Sequence, residues 1–455
     1  MSFTRPPILV LTAVLCVLLP LLTSCMPVEQ IILDGDHVYK TDSVTRAPLL
    51  TALNGEIIEG RYIVILKRSE GVLQRHLQTI GAMLPQFAEV NPIELPGLEG
   101  YVGNFPDHVI DALRSVDEVV SPILTKTSKV AFIEKDQIVH ATPTKGVGAV
   151  QHDAPWIKRE LIAVTILKRT RIRSHTYVYY PDDGKGVTAY VVDTGINIEH
   201  VDFQGRAKWG ATIPFNDEDI DGNGHGTHVA GTIAGAAYGV AKQAEVVAVK
   251  VLRSNGSGTM SDVVRGIEWV VKNHRNRTKE ALDDGSKKKV KSVGNMSLGG
   301  GMSRVLNMAV NAAYDAGVLF AVAAGNDNQD ACDYSPASAE KPITVGATTK
   351  EDIRAWFSNW GKCTDIFAPG HQILSAWIGS NDATNTLSGT SMATPHVAGI
   401  LTAFLSRPEF ENLQPKDLKR LVIKAATRGV IIGIPEHTDT KNRLAFSLPP
   451  SEGDI

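Results

Sequence analysis

The chain is short of cysteine, of net charge and of long apolar runs. Lys+Arg of 46 against Asp+Glu of 49 leaves −3, and nothing in that balance suggests the strongly basic face of a nucleic-acid binder. Beyond the first thirty residues no segment reaches about 18 uninterrupted apolar residues, so no membrane span is expected there. Of four cysteines, Cys16 and Cys25 lie near the start, leaving only Cys332 and Cys363. In an exported chain one remaining pair reads as a single disulfide; two free buried thiols are the other reading. What is present is a globular composition, 43% hydrophobic with 21% charged, enough to bury a large core and to exclude wholesale disorder. Forty glycines cluster, which points to tight turns and close backbone approaches.

Arg5 precedes an apolar stretch from Ile8 to Leu22, followed by Thr23-Ser24-Cys25. A charged start, a short apolar run and small polar residues read as a secretory signal over 1–25, hence as entry to the secretory pathway. A retained anchor, or a lipid on Cys25, are the alternatives. Residues 26–58 show weak periodicity, and little fixed structure is expected. From 59 to 140 a β-α-β-α-β order emerges: Tyr62 to Leu66 as a strand, Leu73, Leu77 and Ile80 on one helix face, Leu98 to Phe105 as a strand, a helix opened by Pro106-Asp107, and Val130 to Ile133 as a strand. That suits a small α+β domain. Residues 141–150 read as an exposed linker open to proteolysis. Over 151–448 apolar strands alternate with helical patterns, as in Val187 to Val192, Val246 to Val251 and Val318 to Ala323; this argues an α/β domain with a doubly wound, mostly parallel sheet. Residues 449–455 form a tail.

Three segments carry chemistry. Tyr190-Val191-Val192-Asp193-Thr194-Gly195 places Asp193 at the carboxyl end of a parallel strand, the edge at which sites form in open α/β sheets. Asp221-Gly222-Asn223-Gly224-His225-Gly226-Thr227-His228 keeps side chains away from His225; His228 is expected to pack inside the following helix, with His225 the exposed one. Two histidines three apart lack the acidic helical register of a metal pair. In Leu387-Ser388-Gly389-Thr390-Ser391-Met392-Ala393-Thr394-Pro395, Ser391 sits where a turn becomes a helix, and Pro395 is read as a first-turn residue. The helix start offers unpaired N–H groups to a developing oxyanion. A serine hydroxyl needs a neutral imidazole to take its proton, and a buried carboxylate to orient that imidazole. The chain order Asp193, His225, Ser391 differs from the trypsin-like and α/β-hydrolase orders, and the Gly-x-Ser-x-Gly elbow is absent.

These motifs resemble those of the subtilisin-like serine proteases, within them the proteinase K and cerevisin branch. The resemblance spans 151 to 448, with Gln151-His152-Asp153-Ala154-Pro155-Trp156 like the start of mature enzymes; 61–140 resemble an inhibitory, ferredoxin-like propeptide. It implies a serine endopeptidase made as a monomeric zymogen, acting on proteins and peptides, inhibited by its own propeptide, and secreted or held in a vacuolar lumen. Asn326, in Ala323-Ala324-Gly325-Asn326, would donate to the oxyanion. Ser297, Leu298 and Gly299 would pair with substrate backbone, and with Ala323, Ala324 and Gly325 would enclose a bulky apolar residue before the scissile bond, P1. No cofactor is needed for the chemistry. Asp365 matches a calcium-ligating aspartate, with carbonyls near Glu340 and Pro342 as co-ligands. Cys332 and Cys363 fall where some members carry a disulfide. Asn255-Gly256-Ser257 and Asn276-Arg277-Thr278 are glycosylation sequons expected on loops, while Asn295-Met296-Ser297 is expected to be inaccessible. Lys158 to Tyr180 is longer and more basic than the family leads one to expect. The alternative function is a silent pseudoprotease or inhibited binding protein on the same scaffold.

Overall fold

The structure, a computed structural model, describes residues 30–34, 37–41, 47–68, 71–83, 90–114, 130–141, 177, 179–285 and 289–448. The leader, most of the linker, the Gln151–Trp156 motif, nearly all of the basic segment and the tail lie outside these residues.

In the N-terminal part the elements are β1 (Gln30–Asp34), β2 (His37–Thr41), β3 (Leu49–Leu50), β4 (Glu56–Leu66), α1 (Val72–Met83), β5 (Asn91–Leu95), β6 (Leu98–Asn104), α2 (Asp107–Arg114) and β7 (Val130–Ala141). The described residues within 26–58 depart from the expectation of little structure: β1 pairs antiparallel with β2, and β3 pairs with β7. The signal was Asp34-Gly35 between two runs rich in β-branched and aromatic residues. β5 was also missed; with it the order is β-α-β-β-α-β and the sheet order β7-β4-β6-β5, a ferredoxin-like domain.

The continuous apolar run of β4 has a two-sided cause. Tyr62, Val64 and Leu66 join Leu73, Val109 and Ile110 in a core between this sheet and its own helices. Ile63 and Ile65 face the other way, into a core shared with the following domain. A strand covered on both faces loses the apolar–polar alternation.

The larger domain contains β8 (Val187–Asp193), β9 (Ala207–Thr212), α3 (His225–Ala234), β10 (Glu245–Lys250), β11 (Ser257–Thr259), α4 (Met260–Asp283), β12 (Lys291–Met296), β13 (Leu298–Gly301), α5 (Arg304–Asp315), β14 (Leu319–Ala323), β15 (Tyr334–Ser335), β16 (Ile343–Thr348), β17 (Ile366–Pro369), β18 (Ile373–Ala376), β19 (Thr384–Leu387), α6 (Thr390–Ser406), α7 (Pro415–Ala425), β20 (Thr427–Arg428) and β21 (Arg443–Leu444). Nine strands form one sheet, ordered β20-β21-β17-β16-β14-β12-β8-β10-β9, parallel except at β20. Successive side chains of β8 alternate between the two faces: Val187, Ala189 and Val191 pack with α3 and α6, Tyr190 and Val192 with α4 and α5. The sheet is thus doubly wound, as the alternating pattern predicted. Cys332 and Cys363 form a disulfide.

The N-terminal sheet docks on α4 and α5, where Ile93, Leu95, Val102 and Phe132 share a core with Val263, Ile267 and Leu306. Its last strand continues into the larger domain: Ile138–His140 pair with β11 on one edge, and His140 and Ala141 pair with β13 on the other.

Candidate active site

The chain winds from β8 to β10 on one side and from β12 to β14 on the other, so the strand order reverses between β8 and β12. Crevices at the carboxyl ends of such strands hold sites. Asp193 ends β8, and Ser297 follows the end of β12.

Asp193 is fully buried, and its Oδ1 accepts from the Thr194 N–H at 2.8 Å and from His225 Nδ1 at 2.7 Å. That bond leaves Nε2 as the basic nitrogen of a neutral ring. His225 is not the exposed histidine that the sequence suggested; it is 1% exposed. An imidazole bonded to a fully buried carboxylate must itself lie below the surface. Its Nε2 is buried with no hydrogen-bond partner among the described residues. His228 is buried as expected; its Nε2 lies 2.9 Å from the Ile373 carbonyl, and burial pushes its pKa down to about 3. The two rings serve different partners.

His225 opens α3 behind Gly224, whose φ of +95° suits glycine. Sequence reasoning gave no role to Asp221, which organises this loop. Its Oδ1 accepts from Thr194 Oγ1, Asn223 N and Gly224 N at 2.8–3.1 Å, and its Oδ2 from Thr227 N at 2.9 Å and Thr227 Oγ1 at 2.6 Å. The carboxylate closes the turn and caps the helix N-terminus. The available signal was an Asp before Gly-Asn-Gly, a turn-forming pattern.

Ser391 is the second residue of α6. Its Oγ donates to the Ser297 carbonyl at 2.9 Å, while Ser297 Oγ donates to the Ser391 carbonyl at 2.9 Å. The second bond corrects the reading of Pro395. Lying beyond the first turn, Pro395 cannot donate to the Ser391 carbonyl four residues back, and Ser297 supplies the missing hydrogen bond. Asn326 Oδ1 accepts from Thr390 N at 2.8 Å and Thr390 Oγ1 at 2.9 Å, which fixes the amide beside the start of α6. Asn359 holds the same loop, accepting from Asp327 N and Gln329 N and donating to the Ala324 carbonyl. No local sequence pattern marks it.

Of the residues assigned to substrate, Leu298, Gly299, Ala323, Ala324 and Gly325 line one cavity of ≈ 360 Å³, together with Ile138 and His140 of β7, and Ser297 is not among its lining. In the adjoining cleft Ala141 is in register with Leu298 and His140 with Gly299. Asp365 Oδ2 accepts from Thr344 N and pairs with Lys419 Nζ, each at 3.1 Å. Of the sequons, Asn255 is exposed and Asn295 is buried, while Asn276 is exposed on helix α4 rather than on a loop. Among the described residues no helix is long and apolar enough to cross a membrane.

Residues 184–445 match the model of the subtilase family. Alkaline protease 2 of Aspergillus fumigatus is 47% identical over 94% of this chain and 88% of its own. Cerevisin of Saccharomyces cerevisiae is 48% identical over 86% of this chain and 64% of its own. The crystal structure of a cold adapted subtilisin-like serine proteinase, 43% identical, covers 66% of this chain and 100% of its own at a TM-score of 0.57. The chain therefore belongs to the subtilase family and is a subtilisin-like serine endopeptidase.

Proposed function

We propose that the chain is the zymogen of this endopeptidase, inhibited by residues 59–140 and activated by its own cut just beyond Ala141. One observation carries the reading: Ile138–Ala141 lies as an extended strand between β11 and β13, making the backbone pairing that a bound peptide would make. Ala141 faces Leu298, the neighbour of the Ser297 carbonyl to which Ser391 Oγ is bonded.

In this mechanism Ser391 Oγ swings from Ser297 to His225 Nε2, gives it the proton and attacks the scissile carbonyl. Asp193 holds the ring and stabilises the imidazolium. The oxyanion is met by the Ser391 N–H, a first-turn amide, and by the Asn326 side-chain amide. The amine departs with the proton from His225, leaving an acyl-enzyme that water hydrolyses by the same relay. The cavity beside Gly299 suits a bulky apolar P1 residue, and strand pairing alone gives broad tolerance elsewhere. The leader-like start supports passage through the secretory pathway, to the exterior or a vacuolar lumen. The substrates are proteins and peptides, and the active form is a monomer.

Mass spectrometry of the processed protein tests the zymogen reading. Wild type is expected to show a new N-terminus shortly after Ala141, absent when Ser391→Ala is made. The same cut in the variant would assign activation to another protease. Asn326→Ala is expected to keep substrate binding while kcat falls about 10²–10³-fold; unchanged kcat would remove Asn326 from the oxyanion site.

A further inference from the structure

The oxygens that the family resemblance assigns to calcium do converge, but on a side chain. Lys419 Nζ lies 2.6 Å from the Pro342 carbonyl, 3.2 Å from that of Glu340, 3.4 Å from that of Lys341 and 3.1 Å from Asp365 Oδ2. We infer that Lys419 is a built-in cation taking the place of calcium in this cage, so that the fold needs no metal ion there.

The donor set is one carboxylate and three carbonyls, hard oxygens suited to a cation of either kind. An ammonium is a compact point charge with three protons to share among them. Calcium would need about six to eight oxygens at 2.3–2.6 Å, and a second cation could enter only if the ammonium left. The residues as they stand therefore do not fit the metal. The surrounding elements hold this arrangement. Helix α7 starts on Pro415 and is anchored by buried Leu418 and Val422, which sets where Lys419 projects. Lys341, in the carbonyl run 340–342, donates its N–H to Asn311 Oδ1 at 3.0 Å and its Nζ to Asp315 at 2.6 Å. The Asp365 carboxylate is held by Thr344 N.

The same solution recurs in the fold. Buried Lys242 Nζ gathers the carbonyls of Ala236, Ala237 and Gly239 in the loop after α3, at 2.8–3.4 Å. Lys250, fully buried, takes those of Thr194 and Leu252 at 3.0 Å each. In both places carbonyls of irregular backbone are satisfied by cations that are part of the chain. Such cations do not depend on the calcium concentration outside.

Calorimetric unfolding of the full chain carrying Ser391→Ala, which avoids self-digestion, tests this. With Lys419 present, the midpoint is expected to be the same in excess calcium and in chelator. Adding Lys419→Met should lower it by about 2–6 °C. Millimolar calcium should then restore part of the loss, with one ion bound by titration calorimetry, and Asp365→Asn should abolish that binding. A chelator-sensitive midpoint in the Lys419 chain that becomes insensitive on Asp365→Asn would overturn the inference. So would an unchanged midpoint in Lys419→Met, or a loss that calcium does not repair. Should Lys419→Met fail to fold, calcium titration of the Lys419 chain with and without Asp365→Asn still decides, since one ion bound through Asp365 refutes it.

Discussion

A Cβ built on Gly299 would meet a single atom within 4 Å, the Ser335 carbonyl oxygen at 3.3 Å, and otherwise open space in the cavity. Gly299→Val is therefore expected to fold while narrowing the cavity that the proposed function assigns to P1. Cleavage of peptides with a large apolar P1 should fall about 10–100-fold relative to those with alanine there, each lost methylene-sized contact changing selectivity by about 1–3 kcal/mol. An unchanged ratio of kcat/KM between the two peptides would place P1 elsewhere. At this scale the sequence was readable where chemistry demands one residue type. Asp193 and His225 stand out in their segments, and the structure joins them at 2.7 Å, while Ser391 Oγ rests on the Ser297 carbonyl. It was unreadable where a residue acts through geometry alone. Asn359 is an asparagine in an ordinary loop until the fold brings it beneath Ala324 and Asp327. The burial of His225 was equally hidden, since glycine-rich flanks suggest openness whereas the bond to Asp193 draws the ring inward.

β7 carries two buried carboxylates to two helix starts. Glu134 accepts from Val305 N at the start of α5, 3.2 Å away. Asp136 accepts from Ser261 N and Oγ at the start of α4, and from Arg61. Burial pushes Glu134 up to about 7 and raises Asp136 as well. Because the docked carboxyl of Glu134 holds its proton more tightly than a solvated one at 4.5, its contribution is fully present below about pH 4.5 and is lost as pH rises through 7. His76 works in the opposite sense. Buried beside Tyr101, with its pKa pushed down to about 4, it contributes above 6.5 and its share is lost as pH falls towards 4. Comparing Glu134→Gln with its parent, both in the Ser391→Ala full chain, isolates the first effect. From pH 5 to pH 8 the midpoint of the variant should gain on the parent by about 2–6 °C. A constant difference would mean that Glu134 does not titrate in the docked state. Little of this was legible beforehand: Val130 to Ile133 was visible as a strand, but that the acid following it would meet another domain's helix depends on docking.

Across the whole molecule, the alternation of apolar strands and helical patterns sufficed for the doubly wound sheet, because a parallel strand buried on both faces leaves an uninterrupted apolar run. Smaller pieces escaped for the converse reason. β5 begins Asn91-Pro92 and is only five residues long, and β15 and β20 are two-residue strands defined by their partners rather than by their own composition. That the two domains meet at a junction was implied by the resemblance of 61–140 to an inhibitory propeptide, whereas which faces meet was not legible, since Ile63 and Ile65 read only as part of an apolar strand. That junction bears on the timing of activation under the proposed function. The gap that receives β7 is bounded by residues 257–259 and 298–301, and the nucleophile comes from some ninety positions later, at 391. No partly assembled chain can present all three together, so a self-inflicted cut doubles as proofreading: only molecules that have finished folding can make it.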